Sequence, residues 1–335
     1  MEKLIITSSP HIHAKDTTRS IMRDVLIALA PAAVASVVLF GLRALLIIVT
    51  CVATAVLSEL LFNLICRKKQ TVSDLSAAVT GMILALSLPA KTELWQCALG
   101  AVLAIVVVKC LFGGIGCNFA NPAVTARVFM LLAFTAAGGG SATKFMTAEL
   151  AASATPLAAI KKAVEDTAKA VAEAAEAGLA ADTVETVEPL LPSLMDMLVG
   201  NRGGAIGETC ILALCLGGIY LIARRVISWK VPATYIATVF VLSLIIKQDV
   251  TAALYQVLGG GVFIAAFFMI TDYVTTPVNK WGKILFAFGC GVITVLIRIW
   301  GSYPEGVSFA ILLMNIVSPY IEKLCTAKPL GKVGK

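Results

Sequence analysis

Long apolar runs separated by short polar breaks occupy most of the chain. Runs of about twenty apolar residues that end at charged residues, Gly or Pro predict membrane-spanning helices, because a helix of that length crosses the bilayer core. We predict five spans near residues 25–42, 44–65, 73–89, 94–112 and 121–135, and five more near 204–223, 231–246, 251–271, 283–300 and 306–321. The apolar residues come in blocks and not at every second position, which excludes the strands of a membrane barrel.

The composition supports a membrane protein. Of the 335 residues, 59% are hydrophobic and only 14% are charged, whereas about a quarter of the residues in an ordinary soluble domain are charged. In lipid, a helix satisfies its own backbone polar groups, so apolar runs of this length are stable there as helices. The sequence therefore predicts an all-α, polytopic membrane protein with about ten transmembrane helices.

The distribution of basic residues predicts the orientation. Basic clusters such as residues 67–69 and 224–225 fall on the side that holds both termini, whereas the short turns on the other side carry Arg43, Lys91, Lys247 and Arg298. By the positive-inside rule, both termini are cytoplasmic. The predicted organisation is a cytoplasmic segment 1–24, a five-helix membrane repeat 25–135, an extracytoplasmic segment 136–203, a second repeat 204–322 and a cytoplasmic tail 323–335.

The two halves show weak internal similarity. With five spans in each half, any repeat must be inverted across the membrane. A Gly-rich break precedes the fifth helix in both halves, at GGIGCNFANPAVTARVFMLL (113–132) and GSYPEGVSFAILLM (301–314), and the third-span pattern of 80–89 is echoed at 259–277. Broken helices at matching places indicate a buried site between repeats. For any one break, the alternative is that Pro and Gly simply end a span.

The polar segment 136–203 contains an Ala-rich stretch, PLAAIKKAVEDTAKAVAEAAEAG (156–178), that predicts one exposed helix ending at Gly178. Thr155 would be its N-cap and Pro156 its first residue. On local sequence alone, the simplest interpretation of Thr155 is an ordinary helix N-cap. A phosphate esterified to Thr155 would nevertheless be stabilised by the free N–H groups and the positive end of the helix dipole.

Four ionisable side chains fall within or at the ends of predicted spans: Glu59, Glu208, Asp272 and Arg127. A charge at bilayer depth is costly, so each is a candidate functional residue. Arg127 could pair with either Glu59 or Glu208. For each residue the alternative is a structural ion pair or a side chain that reaches the interface. Asp272 could cap the inner end of its span, with nearby threonines making local hydrogen bonds.

Asn121, two histidines and the cysteines are the remaining residues considered as ligands for a cofactor or a metal ion. Asn121 precedes Pro122 at a second cap-and-proline start, and with the backbone of residues 113–116 it could bind a flavin ring or a cation, or only satisfy a helix end. His11 and His13 have no other metal ligand nearby in the sequence, so a metal site there is not predicted.

The nine cysteines show no CxxC pair, and most lie in apolar runs, so neither an iron–sulfur site nor a disulfide framework is predicted. Without a nucleotide-binding loop, a nucleophile triad or HExxH, the chain is not a self-contained enzyme.

Several long motifs resemble one family. They are FGGIGCNFANPAVTARVF, GGAIGETCILALCLGGIYLIARRVISWKVP, MITDYVTTPVNKWGK and IRIWGSYPEGVSFAILLMNIVSPYI, in this order over nearly the whole chain. They are similar to the D subunits of the Rnf electron-transport complexes, which are homologous to the B subunits of sodium-pumping NADH:quinone reductases.

The resemblance implies a covalent cofactor. In that family FMN is attached through its phosphate to the threonine of a Ser/Thr-Gly-Ala-Thr motif, commonly followed by Pro-Leu. Residues ASATPLA (152–158) match that place, which assigns the flavin to Thr155, although Ala152 and Ser153 depart from the motif. Thr143, in GSAT (140–143), is a rival that lacks the following Pro-Leu. The resemblance also suggests a role for Glu208 near a flavin or ion path.

The functional expectation follows from the resemblance. It implies a membrane component that relays electrons from reduced ferredoxin towards NAD, coupled to Na⁺ or H⁺ export, with a noncovalent riboflavin as a possible second cofactor. Implied partners are the other Rnf subunits, including the flavin-bearing G subunit, a flavin transferase and membrane lipid. The alternatives are a solute or ion channel or transporter with inverted repeats and no redox cofactor, and a structural scaffold.

Overall fold

The fold is given by a computed structural model of the chain. It describes residues 17–138, 156, 157, 160–162, 166, 192–200, 202–301 and 306–325. Thr143, Thr155, His11 and His13 lie outside the described residues, as does most of the predicted helix at 156–178.

The described elements are helical and follow one another closely. They are α1 Thr18–Phe40, α2 Leu42–Ile65, α3 Ser76–Ser87, α4 Leu94–Val102 continuing as a π-helix Leu103–Cys110, α5 Pro122–Gly138, α6 Leu194–Val199, α7 Ile211–Ala223, α8 Lys230–Lys247, α9 Val250–Leu258, α10 Val262–Ile264 continuing as a π-helix Ala265–Met269, α11 Lys280–Trp300 and α12 Val307–Leu324. The side of the helix bundle at which α1 begins is called the Thr18 face, and the side at which α1 ends is called the Phe40 face.

The all-α, multi-spanning fold predicted from the sequence is confirmed. Within the described ranges, five helices are long and apolar enough to cross a membrane, α9 and α10 form a sixth span bent by 60°, and four apolar helices are shorter. Together these segments coincide with the ten predicted spans. The sixth predicted span was expected to begin at 204, but α7 begins at Ile211. The apolar stretch before it is irregular backbone.

The packing order of the first half recurs in the second. Helix α2 packs against α3 and α4, and in the same way α8 packs against α9 and α11. The halves meet where α1 packs along α7. There Asp24 of α1 is paired with Arg224 at the end of α7, at 3.1 Å between Oδ2 and Nη2. This recurrence supports the predicted repeat, and its inversion across the membrane stays a prediction.

Two glycines allow α7 to approach its neighbours closely. A Cβ at Gly217 would collide with the backbone oxygen of Ala28 on α1, and one at Gly218 would collide with the ring of Phe267 in the π-helix after α10. Small residues of this kind let helix backbones touch in membranes, where packing replaces the hydrophobic drive to associate. The contact between the halves therefore depends on Gly217, and the packing of α7 within the second half depends on Gly218.

Irregular backbone lies inside the protein at the Phe40 face. The segment before α7 runs antiparallel to the end of α3, where Ile206 N donates to Leu88 O at 2.9 Å and Gly207 N donates to Leu86 O at 2.7 Å. Such pairing supplies the hydrogen bonds that lipid cannot. Helix α3 is short because the residues at its end pair with the segment before α7 and do not continue the helix.

A buried ion pair joins three elements of the first half. Lys109, in the π-helix that ends α4, lies 2.8 Å from Glu59 Oε1 of α2 and 2.6 Å from Ser76 Oγ at the start of α3. Thr71 also donates to Glu59, at 2.7 Å. Glu59 is 1% exposed and Lys109 2%. Of the two carboxylates considered as partners of Arg127, Glu59 is taken by Lys109 from the adjacent helix.

We expect Gly217→Ala to lower the free energy of unfolding by about 1–3 kcal/mol, because the methyl group would meet backbone of α1 that cannot move alone. Gly289→Ala is the matched control, since its methyl group would meet only the flexible end of Met314. Unfolding by SDS titration in mixed micelles measures both. Equal losses for the two variants would contradict the close packing of α1 on α7.

We expect Lys109→Met to cost about 3–5 kcal/mol, because it leaves the Glu59 carboxylate buried without its cation. The double variant Glu59→Gln, Lys109→Met removes both charges and should recover most of that loss. The same SDS titration measures the two free energies of unfolding. A double variant as unstable as Lys109→Met alone would show that the pair does not carry the stability assigned to it.

Candidate functional site

A cleft between the two halves opens at the Thr18 face. Helices α1 and α3 form one wall, and α7 and the π-helix after α10 form the other. The empty space, which includes solvent at the open mouth, is about 780 Å³. Most of the lining is apolar. The polar side chains in the lining are Ser76, Thr80, Lys109, Asn118, Asn121, Thr271, Asp272 and Tyr273. A mainly apolar cleft with a few polar groups is the usual form of a small-molecule site.

Asn121 both caps α5 and lines this cleft. Its Oδ1 accepts from Ala123 N at 3.1 Å and from Val124 N at 3.4 Å. The predicted cap is therefore confirmed. Because the oxygen is used by the helix, the Nδ2 group is the part of this amide that remains to face a ligand.

Asn118 lies three residues before Asn121 and was not singled out from the sequence. Its Oδ1 is buried and has no hydrogen-bond partner among the described residues. The loop that brings it to the cleft turns at Gly113, Gly114 and Gly116, whose φ angles are 118°, 97° and 91°. Side-chain-bearing residues rarely adopt these angles. A buried acceptor in a cleft wall needs a donor, and the described residues do not supply one.

Lys109 and Asp272 place opposite charges in the lining. Lys109 is held by Glu59 and lies in a π-helix, a form that often occurs at functional sites. Asp272 follows the second π-helix, and its carboxylate accepts from Val274 N at 3.4 Å and Thr275 Oγ1 at 3.1 Å. The predicted local hydrogen bonds of the nearby threonines are confirmed. Thr275 donates to the Asp272 carboxylate, Thr276 to Asp272 O and Thr271 to Phe267 O.

Glu208 lies on the opposite side of the membrane region, at the Phe40 face. It is 4% exposed, and its Oε1 accepts from Ala205 N at 2.9 Å within the irregular segment before α7. Its Oε2 approaches Gly261 in the break between α9 and α10. Arg127 of α5 lines a small cavity with the same glycine and donates to Ser87 O at the end of α3. The structure thus brings Glu208 and Arg127 to one region, at the breaks of both halves.

Arg298 completes this region. It lies near the end of α11, is 6% exposed and donates to the carbonyls of Gln256, Gly259 and Gly260 at the end of α9. Helix-end carbonyls have no partner within the helix, so a cation there satisfies both hydrogen bonds and the helix dipole. The sequence had placed Arg298 only as a charge in an outer turn.

The described residues after Thr155 lie against the same break. Pro156 and Leu157 are helical and buried. A Cβ at Gly259 or Gly260 would meet the Leu157 side chain, so this leucine packs on the end of α9. The chain one residue beyond Thr155 therefore belongs to the Phe40 face, apart from the cleft that holds Asn118 and Asn121.

The sequence identified several site residues but missed the side chains with which they interact. Lys109 is a single basic residue at the end of an apolar run and pairs with a carboxylate 50 residues away, a distance that no local pattern reveals. Asn118 had a signal, since it shares the NFAN stretch with Asn121. Among the described residues, no group of three or more His, Cys, Asp or Glu side chains is arranged to hold a metal ion.

Comparison with known proteins extends over the whole chain. The model of the NQR2, RnfD, RnfE family matches residues 5–331. The chain is 40% identical over 331 residues to the D subunit of the Na⁺-translocating ferredoxin:NAD⁺ oxidoreductase complex of Acetobacterium woodii, covering 98% of this chain and 95% of that protein. It is 36% identical over 334 residues to the D subunit of the proton-translocating ferredoxin:NAD⁺ oxidoreductase complex of Clostridium ljungdahlii, covering 97% and 96%.

A third relative is the D subunit of the ion-translocating oxidoreductase complex of Halorhodospira halophila, 35% identical over 344 residues, with 98% of this chain and 95% of that protein covered. In all three relatives the match runs through both halves of the fold and the segment between them. The chain belongs to the NQR2, RnfD, RnfE family.

Proposed function

We propose that the chain is the membrane-embedded D subunit of an ion-translocating ferredoxin:NAD⁺ oxidoreductase complex, in which it relays electrons through bound flavin. The observation that carries the proposal is the end-to-end match to proteins that are named for this activity. The chain is not catalytic alone. Bound flavin supplies the capacity to accept and release electrons, and the protein holds and orients it.

The first flavin is FMN joined through its phosphate to Thr155. Three features support this position over Thr143: the Pro-Leu that follows it in the sequence, the helical conformation of Pro156 and Leu157, and the burial of Leu157 against the break after α9. A helix start presents N–H groups that suit a phosphate. Its neighbours Ala154 and Ser153 are small, which leaves the hydroxyl open to a flavin transferase.

The second flavin is a noncovalent riboflavin in the cleft at the Thr18 face. The orphaned acceptor of Asn118 and the Nδ2 group of Asn121 fit the imide edge of a flavin, which carries both a donor and acceptors. The apolar walls include Phe267 and Phe268 and suit the aromatic ring. With one flavin at each face, the chain would carry electrons across the membrane region.

The proposed location is the cytoplasmic membrane, with both termini and the Thr18 face on the cytoplasmic side. The basic residues 67–69 and 224–225 lie at this face, as the positive-inside rule requires. Segment 136–203 is then extracytoplasmic. The proposed partners are the other subunits of the complex, including the flavin-bearing G subunit, together with the flavin transferase and the surrounding lipid.

Thr155→Val should abolish covalent flavin, because valine keeps the shape of threonine but has no hydroxyl to esterify. The protein is produced with its flavin transferase, denatured, separated on a gel and viewed under ultraviolet light. The fluorescent band should vanish in Thr155→Val and persist in Thr143→Val. A band lost only in Thr143→Val, or absent from the unmodified protein, would overturn the assignment.

Asn118→Leu should weaken the noncovalent flavin, because a lost hydrogen bond of about 1.4 kcal/mol lowers affinity tenfold. Flavin released by acid from the purified protein is measured by fluorescence. Asn315→Leu is the control, because Asn315 is another buried amide, 3% exposed, that does not line the cleft. Equal flavin release from both variants and the unmodified protein would count against this cleft as the site.

A further inference from the structure

A small pocket at the Thr18 face lies between the starts of α8 and α11, beside the cleft between the halves. Val231 of α8 and Lys283 and Phe286 of α11 line it, and its empty space, which includes solvent at the mouth, is about 340 Å³. Among the described residues that line it, Lys283 alone is charged. We propose that this pocket binds the phosphate of an anionic phospholipid, which is independent of both proposed flavins.

The starts of α8 and α11 bring positive charges together. The two helices pack against each other, and residues from the beginning of each line the pocket. Lys230 and Lys280 are their first residues, and Lys283 lies three residues further along α11. Neither helix has an acidic residue in its first turn. Because the N-terminal end of a helix dipole is itself positive, cations are disfavoured there, and a bound anion would offset both the dipoles and the lysines.

The Lys283 ammonium group is available to such an anion. The residue is partly buried, and no described residue accepts a hydrogen bond from its ammonium group or forms an ion pair with it. Asp272 lines the larger cleft, and its carboxylate accepts from Val274 N and Thr275 Oγ1. An ammonium group has three donors and no acceptor. Phosphoryl oxygens accept hydrogen bonds from it at short range, and such charge-assisted bonds are the strong ones.

The surroundings of the pocket favour a lipid over a free anion. Trp229, just before α8, is 60% exposed, and Trp281, the second residue of α11, is 74% exposed. Tryptophans at the ends of spanning helices are typical of the level at which lipid headgroups lie. The walls formed by Val231, Ile270 and Phe286 are apolar and suit the part of a lipid next to its phosphate. Basic pockets between membrane helices bind anionic headgroups in this way.

Native mass spectrometry of the full-length protein, purified free of lipid in detergent, measures the dissociation constant of the first lipid bound. Phosphatidylglycerol, which is anionic, is compared with phosphatidylcholine, which carries the same phosphate but no net charge, and with inorganic phosphate. The variants are Lys283→Gln and Lys280→Gln. Lys69→Gln is the control, because Lys69 is an exposed lysine of the first half, on the same face, and its loss changes the net charge equally.

We expect Lys283→Gln to weaken phosphatidylglycerol binding about tenfold, because a charge-assisted hydrogen bond is lost. Lys280→Gln, at an exposed position where folding is not at risk, should weaken it by a smaller factor, and Lys69→Gln should leave it unchanged. Equal binding by the unmodified protein and both α11 variants would overturn the inference. So would an equal loss in Lys69→Gln, which indicates only general attraction to a basic face.

The other two ligands separate the possible occupants. Phosphatidylcholine should bind more weakly than phosphatidylglycerol, and inorganic phosphate should not displace the lipid at equal concentration. Phosphatidylcholine bound as tightly as phosphatidylglycerol would contradict the role of charge. Displacement by inorganic phosphate would identify a free anion as the occupant and would contradict the assignment to lipid.

Discussion

The structure depends on one constraint: backbone polar groups within the membrane region must be satisfied inside the protein. Several of the apolar helices are too short to cross alone, so their ends fall within the bundle. The end of α3 is satisfied by Arg127 and by the antiparallel segment before α7, and the end of α9 by Arg298. Arg127 and Arg298 thus satisfy carbonyls where helices break, and both lie at the Phe40 face.

The breaks create two clefts of different character. The cleft at the Thr18 face lies between the halves, is largely apolar and combines Lys109 with Asp272 and two asparagines. The cleft at the Phe40 face is smaller, and its charged lining residues, Lys161, Lys247 and Arg298, are all basic. The apolar cleft suits a flat aromatic ring, and the basic cleft suits an anionic group.

The apolar pattern of the sequence predicted the helices well because span length is a direct requirement of the bilayer. It failed where tertiary contacts replace that requirement. The stretch before α7 looks like part of a span, but Ile206 and Gly207 hydrogen-bond to the end of α3. Candidate residues with local signals, such as the Asn121 cap, were found. Lys109 and Arg298 were missed as site residues, because their partners come from other helices and only folding brings them together.

Under the proposed function, this chain carries one flavin by a covalent bond and another by noncovalent contacts alone. The most direct measurement is the flavin content of the purified protein, produced with its transferase, before and after acid precipitation. We expect equal amounts of flavin in the pellet, bound to protein as FMN, and in the supernatant as riboflavin. Flavin found in the supernatant alone, or in neither fraction, would contradict it.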